Sequence, residues 1–371
     1  MGRTVAGAVL ASAAVAFVLA TGAASPLPPR SSSPPPPPGG GGGSPVGVQR
    51  FPANGEWDVT DTSATHVTSP LPQDTLKSTD LPDSWDWRSS RDGMNLCTHV
   101  LTQQAPHVCG SCWAEAATGA LSDRFKIATR GQLNLQLAPQ NLLNFAPALT
   151  GGGCQGGDSA KAYSFIQRFG ITDDTCTTFL GEDFGNNFGF GDPTSEKLLQ
   201  AFVRGRMCHY CEWNGDCDWL PTRSVSAPAA TPNVTVGGGV GIAKTYSVDE
   251  FGKVAGEQNI MKEVYARGPV ACYLESGKMV FNDYVGGVIQ YPHEVNTTDH
   301  VIVIAGWGRT EEGLDYWIGR NSYGTRWGEG VGGGWFRLQR GNNTLNMERA
   351  GCAWATPSAQ DVAALMNNTS Y

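Results

Sequence analysis

Charge is scarce in this 371-residue chain: Asp, Glu, Lys and Arg make up only 16%, against about 25% in ordinary usage. What charge there is runs acidic, with 34 carboxylates against 26 Lys and Arg and a net of -8. A general nucleic-acid binder needs a basic surface to neutralise phosphates, so that class is excluded. No heptad, internal repeat or second long apolar stretch follows the N-terminus, which removes coiled coils, solenoids and multi-span membrane proteins. Cysteine is missing from residues 1–80, so all ten cysteines fall in the later part. That crowding points to disulfides and an oxidising compartment unless the cysteines bind metal. Hydrophobic residues at 40% exclude a wholly disordered chain.

Glycine and proline are abundant instead, 48 and 23 residues, well above the usual share of about 12% for the pair. Much of the excess lies in residues 25–45, a Pro, Ser and Gly tract that is part extended and part coil and cannot bury a core. Residues 1–24 read as a secretory signal: Arg3, a short apolar run from Val9 to Leu19, then the small residues Ala20 to Ala23. The run is too short to span a hydrocarbon core of about 30 Å, so no membrane anchor is expected. Residues 25–80 are assigned as a low-complexity segment and short propeptide, 81–356 as the folded domain and 357–371 as a C-terminal tail. Five Asn-x-Ser/Thr acceptors, Asn233, Asn296, Asn342, Asn367 and Asn368, suit a secreted chain.

The chemistry starts at Cys109-Gly110-Ser111-Cys112-Trp113-Ala114. Trp113, Ala116, Ala117, Ala120, Leu121 and Ile127 recur at helical spacing after a Gly-Ser turn. Cys112 therefore falls in the first turn of a buried helix, where orphan N–H groups and the positive helix end favour a thiolate. Cys-x-x-Cys is also the pattern of a redox pair or half a metal site. A metal site needs a second close pair; Cys208-x-x-Cys211 exists, without histidines at ligand spacing. A redox pair needs a βαβ context, which is not evident around Cys109.

The Cys109–Ala114 segment resembles the nucleophile segment of papain-family cysteine proteases, a local signature with His and Asn downstream. His300, in Asp299-His300-Val301-Ile302-Val303-Ile304, and Asn321, in Trp317-Ile318-Gly319-Arg320-Asn321-Ser322-Tyr323-Gly324, resemble the family's other two catalytic segments. They lie 188 and 209 residues after Cys112, beyond the usual span of about 130–150, which implies insertions. The resemblance implies an α+β fold, two-lobed, with a helical left lobe and a β-barrel-like right lobe. Helices are expected near 137–146 and 158–169, strands at 301–307, 314–318 and 334–338, and surface loops at 181–200 and 332–334. It implies Cys112 as nucleophile, His300 as its base and acid, Asn321 as the group orienting the imidazole, and Gln103 with the Cys112 N–H as oxyanion donors. Gly156 and Gly157 would let a substrate backbone approach, and Trp327 would shield the leaving-group side.

The pattern further resembles a carboxypeptidase branch of that family. The region before Leu81 is short, the start Leu81-Pro82-Asp83-Ser84-Trp85-Asp86-Trp87-Arg88 matches, Gln104-Ala105-Pro106 stands as an insert before the nucleophile block, and Asp174-Thr175-Cys176 follows Gly170-Ile171. In that branch a histidine in the insert holds the substrate's C-terminal carboxylate; Gln104 stands there instead, with His107 three positions on. Tyr323 replaces the usual Trp. The implied disulfides are Cys109–Cys154, Cys176–Cys208, Cys211–Cys217 and Cys272–Cys352, and a further family bridge is missing at both ends. Cys97 remains as a buried thiol or an intermolecular link. No propeptide cysteine is present to cap the nucleophile, so inhibition by residues 25–80 would be noncovalent. The expected activity is a cysteine carboxypeptidase of the lysosome, vacuole or extracellular space. A papain-like endopeptidase and a noncatalytic binding protein are the alternatives. Expected partners are peptide and protein substrates and protein inhibitors of papain-like peptidases, with a monomeric enzyme, no cofactor and no metal.

Overall fold

The computed structural model describes residues 65–90, 92–150, 152–182, 209–211, 217–219, 245–277, 279–291 and 297–367. The expected signal, the low-complexity tract, most of the 181–200 insert, and Cys208, Asn233, Asn296 and Asn368 lie outside them. The helices are α1 (Pro72–Thr75), α2 (Cys112–Ala128), α3 (Pro139–Thr150), α4 (Ser159–Phe169), α5 (Glu257–Arg267), α6 (Met279–Asn282), α7 (Met347–Ala350) and α8 (Ala359–Asn367). The strands are β1 (Trp85–Asp86), β2 (His209–Cys211), β3 (Cys217–Trp219), β4 (Val248–Val254), β5 (Val270–Leu274), β6 (Val288–Ile289), β7 (His300–Arg309), β8 (Asp315–Arg320), β9 (Trp335–Gln339) and β10 (Cys352–Pro357).

One sheet organises the site. Its order is β4-β10-β5-β7-β8-β9-β6, with β1 added against β7. The pairs are antiparallel except β6 with β9. The sheet is open: β4 and β6 end it without pairing to each other, so the mixed α+β architecture holds while the right lobe is not a closed barrel. Strand β7 explains why its sequence reads as an unbroken apolar run. Val301 and Val303 pack with α2, α3 and α4, while Ile302 and Ile304 face a second core with Val264, Trp307 and Trp354. A strand buried on both faces needs no polar alternation.

Helix α2 is the other pillar. Every residue from Cys112 to Phe125 is buried, so its stability comes from packing all round rather than from one amphipathic face. Thr118 and Ser122 bond back to the carbonyls of Ala114 and Thr118 at 2.8 and 2.6 Å, which satisfies hydroxyls that have no water. Helix α4 starts where Asp158 accepts from the Ala160 and Lys161 N–H groups, an ordinary side-chain N-cap. At the C-terminus, α8 runs through a stretch expected to be a tail, with Val362 and Leu365 packed on the α2 core.

Residues 65–80 lie along β4 and α5. His66 bridges Phe251, Thr68 and Ser69 bond the Glu250 carboxylate, and Arg267 donates to the Pro70 carbonyl at 3.0 Å. None of them lines the cleft described below.

Candidate active site

The nucleophile segment is pinned before α2 begins. The Cys109–Cys154 disulfide joins two loops, and Gly110 N donates to the Cys154 carbonyl at 2.8 Å. A Cβ on Gly110 would stand 2.6 Å from that oxygen, so only glycine fits. Trp113 then locks the glycine loop. Its indole N–H donates to Gly153 O at 3.0 Å, and a Cβ on Gly157 would lie 2.4 Å from the ring. Gly157 therefore lies against the indole, Gly156 is held by paired backbone hydrogen bonds with Gly153, and both line the cleft.

His300 opens β7 opposite Leu274 of β5, and Asn321 follows the last residue of β8. The His300 Nε2 and Asn321 Oδ1 are 2.8 Å apart, and Oδ1 also accepts from the Ser322 N–H at 2.8 Å. An amide oxygen cannot donate, so Nε2 carries the proton and Nδ1 is left as the basic nitrogen. The Asn321 N–H is itself fixed to Gly334 O at 2.9 Å. Phe281 and Tyr323 close round the imidazole, with ring centroids at 5.8 and 5.1 Å. Tyr323 thus supplies aromatic cover where the resembled family carries Trp.

Cys112 and His300 both face a cleft of about 1080 Å³, which also takes in Gln155 to Asp158, Lys253, Tyr273, Asp299, Asn346 and Arg349. Burial pushes the Cys112 thiol up to about 11, against the pull of the Val301 and Trp113 backbone N–H groups. Burial likewise lowers the His300 imidazole, with Asn321 and Asp299 opposing. Each group alone is held toward its neutral form. Transfer of the thiol proton to the imidazole creates two opposite charges in a poorly screened site, and their attraction works against that desolvation. Asp299 adds a negative charge beside the imidazole and holds the Ser276 and Gly277 N–H groups at 2.6 and 3.1 Å.

Gln103 joins the two sides. Its amide donates to Cys109 O at 3.1 Å and accepts from Ser322 Oγ at 2.7 Å, while its own N–H reaches Ser322 O at 2.9 Å. One amide hydrogen is left for a ligand. Trp327 stands in an aromatic cluster with Phe281, Tyr284 and Tyr323, its indole N–H on Asn282 O at 3.1 Å. Gln104 and His107 are not brought into the cleft lining. Both are exposed, and His107 pairs with Glu182 at 3.5 Å.

Cys272–Cys352 bridges directly opposed residues of β5 and β10. Cys176 is disulfide-bonded, and the β2–β3 register sets Cys211 opposite Cys217. Cys97 is a free thiol buried to 2% exposure, which rules out the intermolecular link in this fold. Asn342 and Asn367 are exposed. Among the described residues no group of three or more His, Cys, Asp or Glu could hold a metal, and no helix is long and apolar enough to cross a membrane.

Sequence reasoning missed three buried ionisable groups behind the site: Glu115, and the pair Asp123–Arg320. The only available signal was charge interrupting an otherwise apolar helix or strand.

A thiol on a helix start, an imidazole on the facing strand and an amide holding that imidazole define a cysteine peptidase site. The family model for papain family cysteine proteases matches residues 81–355, and the chain belongs to that family. It is 34% identical over 289 residues to "Cathepsin Z" of Onchocerca volvulus, covering 76% of this chain and 79% of that protein. It is 28% identical to "Cathepsin B-like protease 1" of Arabidopsis thaliana, over 68% of this chain and 57% of that one. Among solved structures, one reported for the mite allergens Blo t 1 and Der p 1 superposes with a TM-score of 0.54 at 23% identity, covering 82% of this chain and 79% of its own. Procathepsin L 3 of Tenebrio molitor gives 0.50 at 23% identity, over 74% and 70%.

Proposed function

We propose that the protein is a cysteine carboxypeptidase of the secretory route, acting in a lysosome, vacuole or outside the cell. The observation that carries the peptidase chemistry is the 2.8 Å contact between His300 Nε2 and Asn321 Oδ1, in a cleft shared with Cys112. His300 Nδ1 takes the Cys112 proton, and the thiolate attacks the scissile carbonyl carbon. The oxyanion receives the Cys112 N–H and the remaining Gln103 amide hydrogen, donors worth most where charge develops. The tetrahedral adduct collapses, the imidazolium protonates the leaving amine, and a thioester on Cys112 remains. Water, deprotonated by His300, then releases the acid and restores the thiol. Gly156 and Gly157 pair with the substrate backbone upstream of the bond, and Trp327 covers the leaving side.

Removal of C-terminal residues is supported by the similarity to Cathepsin Z over three quarters of the chain and by the Gln103–Cys109 loop next to the nucleophile. Gln104 offers a neutral amide to a substrate carboxylate, roughly half the strength of a charged donor, and His107 stands three positions on as a second candidate contact. A second reading, endopeptidase action, is favoured by one observation: neither Gln104 nor His107 lines the cleft. Residues 1–24 are proposed as signal, 25–80 as a low-complexity segment and short propeptide, 81–356 as the peptidase and 357–371 as a C-terminal tail. Protein inhibitors of papain-like peptidases are proposed partners of a monomer.

The test digests one peptide with a free C-terminus and its amidated twin, followed by mass. Stepwise loss of single residues from the free form alone is expected. Equal internal cleavage of both overturns the carboxypeptidase reading in favour of the second.

A further inference from the structure

Glu115 takes no part in the steps above, yet it stands directly behind them. It lies three residues past Cys112 in the first turn of α2 and is only 3% exposed. A carboxylate without water or a cation is costly, and such groups stay neutral or find a partner. Its side-chain partner is Ser111 Oγ at 3.4 Å, at the long limit of a hydrogen bond. Arg320, which lines the same small cavity, is held by Asp123 at 2.9 and 3.1 Å.

Glu115 borders a small cavity of about 10 Å³ between α2 and the β7–β8 strands, room for one water. Leu101, Val301, Val303 and Asn321 share its wall. Asn321 is 2% exposed, and its Nδ2 has no hydrogen-bond partner among the described residues. Its Oδ1 is already taken by His300 and Ser322. An unfilled amide donor and an under-bonded carboxyl thus meet at a space that fits one water.

We propose that Glu115 is a positioning residue: through one buried water it holds the Asn321 side chain, and with it the His300 ring, in register with Cys112. The water accepts from Asn321 Nδ2 and donates to the carboxyl, whose remaining capacity is met by Ser111. Burial pushes the Glu115 carboxyl up to about 8, so it is neutral through the acid range. Above that it becomes an anion one turn from Cys112, and that charge raises the thiol further. The other ionisable group lining this space is Arg320 of β8, neutralised by Asp123 of α2, and His300 of β7 stands behind Asn321. Tyr163 of α4, bonded to Ala117 O at 3.1 Å, is kept a neutral phenol by burial.

The inference rests on the proposed roles of Cys112, His300 and Asn321. Its test compares wild type with Glu115→Leu and Glu115→Gln, each checked for folding by thermal unfolding. Glu115→Leu removes the polar anchor, and kcat should fall about tenfold with KM little changed, the effect of stranding a buried donor. Glu115→Gln restores both hydrogen-bond functions without titrating. It should recover most of kcat at acid pH, and its alkaline arm in kcat/KM should move up from near pH 8 by about half a unit or more. If Glu115→Leu does not fold, the Glu115→Gln profile decides alone. An alkaline arm identical to wild type, or an unchanged kcat in a folded Glu115→Leu, overturns the proposal. A wild type that neither alkylates at Cys112 nor cleaves peptide overturns the catalytic assignment as well, whereas an active wild type with unaltered variants overturns this inference only.

Discussion

Asp123 and Arg320 offer the sharpest test of what holds the site together. Asp123 comes from α2 and Arg320 from β8, residues 197 apart in sequence. The pair is bidentate, at 2.9 and 3.1 Å, with side chains 0% and 4% exposed. Thr98 completes it: its N–H and hydroxyl donate to Asp123 at 2.6 and 2.8 Å, and its carbonyl accepts from Arg320 at 2.9 Å. Asp123→Asn keeps one acceptor for Thr98 but turns an N–H toward the guanidinium and strands its charge. Breaking one partner of a buried pair costs about 3–5 kcal/mol, on the order of 10 °C in Tm for a domain of this size. The measurement is thermal unfolding in a Cys112→Ala background, which prevents self-digestion. The double variant Asp123→Leu with Arg320→Met removes both charges and should regain about 2 kcal/mol relative to the sum of the single changes. Full recovery is not expected, because the Thr98 groups lose their partners. A loss under about 1 kcal/mol in Asp123→Asn, the scale of an exposed pair, or strict additivity in the double variant, would refute the reasoning.

Two further outcomes follow from the geometry. Desolvation pushes the Glu250 carboxyl up, but the hydrogen bonds of Thr68 and Ser69 outweigh it and leave it below the ordinary carboxylate range. Its contribution to holding residues 65–70 is therefore complete above the ordinary value of about 4.3 and is lost as pH falls through the lower folded value. Limited proteolysis in 65–77 should accelerate only in that acid window, and Glu250→Gln should be cleaved as fast at neutral pH; equal rates for both proteins at neutral pH would contradict the latch. Gly157→Ala places a Cβ 2.4 Å from the Trp113 indole, a clash worth about 1–3 kcal/mol; KM for peptides should rise as the glycine loop moves, and an unchanged KM and Tm would show that the indole yields freely.

The nucleophile helix was legible because a Gly-Ser turn precedes an apolar face, and β7 because a strand buried on both faces leaves a continuous run. Neither signal depends on distant partners. Glu115 was not legible for the opposite reason. A glutamate four residues after Ser111 reads as an exposed helix charge, and only the fold shows that α2 has no exposed side there. Gln104 was read as a substrate contact from its place in an insert, with His107 as a substitute three positions on; residues 155–158, 253–255, 298–301 and 346–352 line the cleft on its other side. The helix at 359–367 was hidden by an Asn, Ser and Thr composition that begins only at its last turn.

Two groups of the proposed reaction, Gln103 and Asn321, come from segments that meet edge to edge. Thr102 bridges Tyr323, Gly324 N donates to Leu101 O at 3.1 Å, and Gln103 N donates to Ser322 O at 2.9 Å. Arg320 anchors one end of this seam through Thr98 and Asp123. Gln103, the proposed oxyanion donor, therefore pairs with Ser322, the residue next to Asn321, the proposed imidazole holder, on the same short ladder. Oxyanion stabilisation and imidazole orientation are then not independent. A shift of the 320–324 segment misplaces both at once, and it does so without touching Cys112, which is fixed separately by the Cys109–Cys154 loop. The seam thus explains why a chain with so little charge keeps a guanidinium and a carboxylate fully buried beside its active site: they set the register of the two segments that must act together.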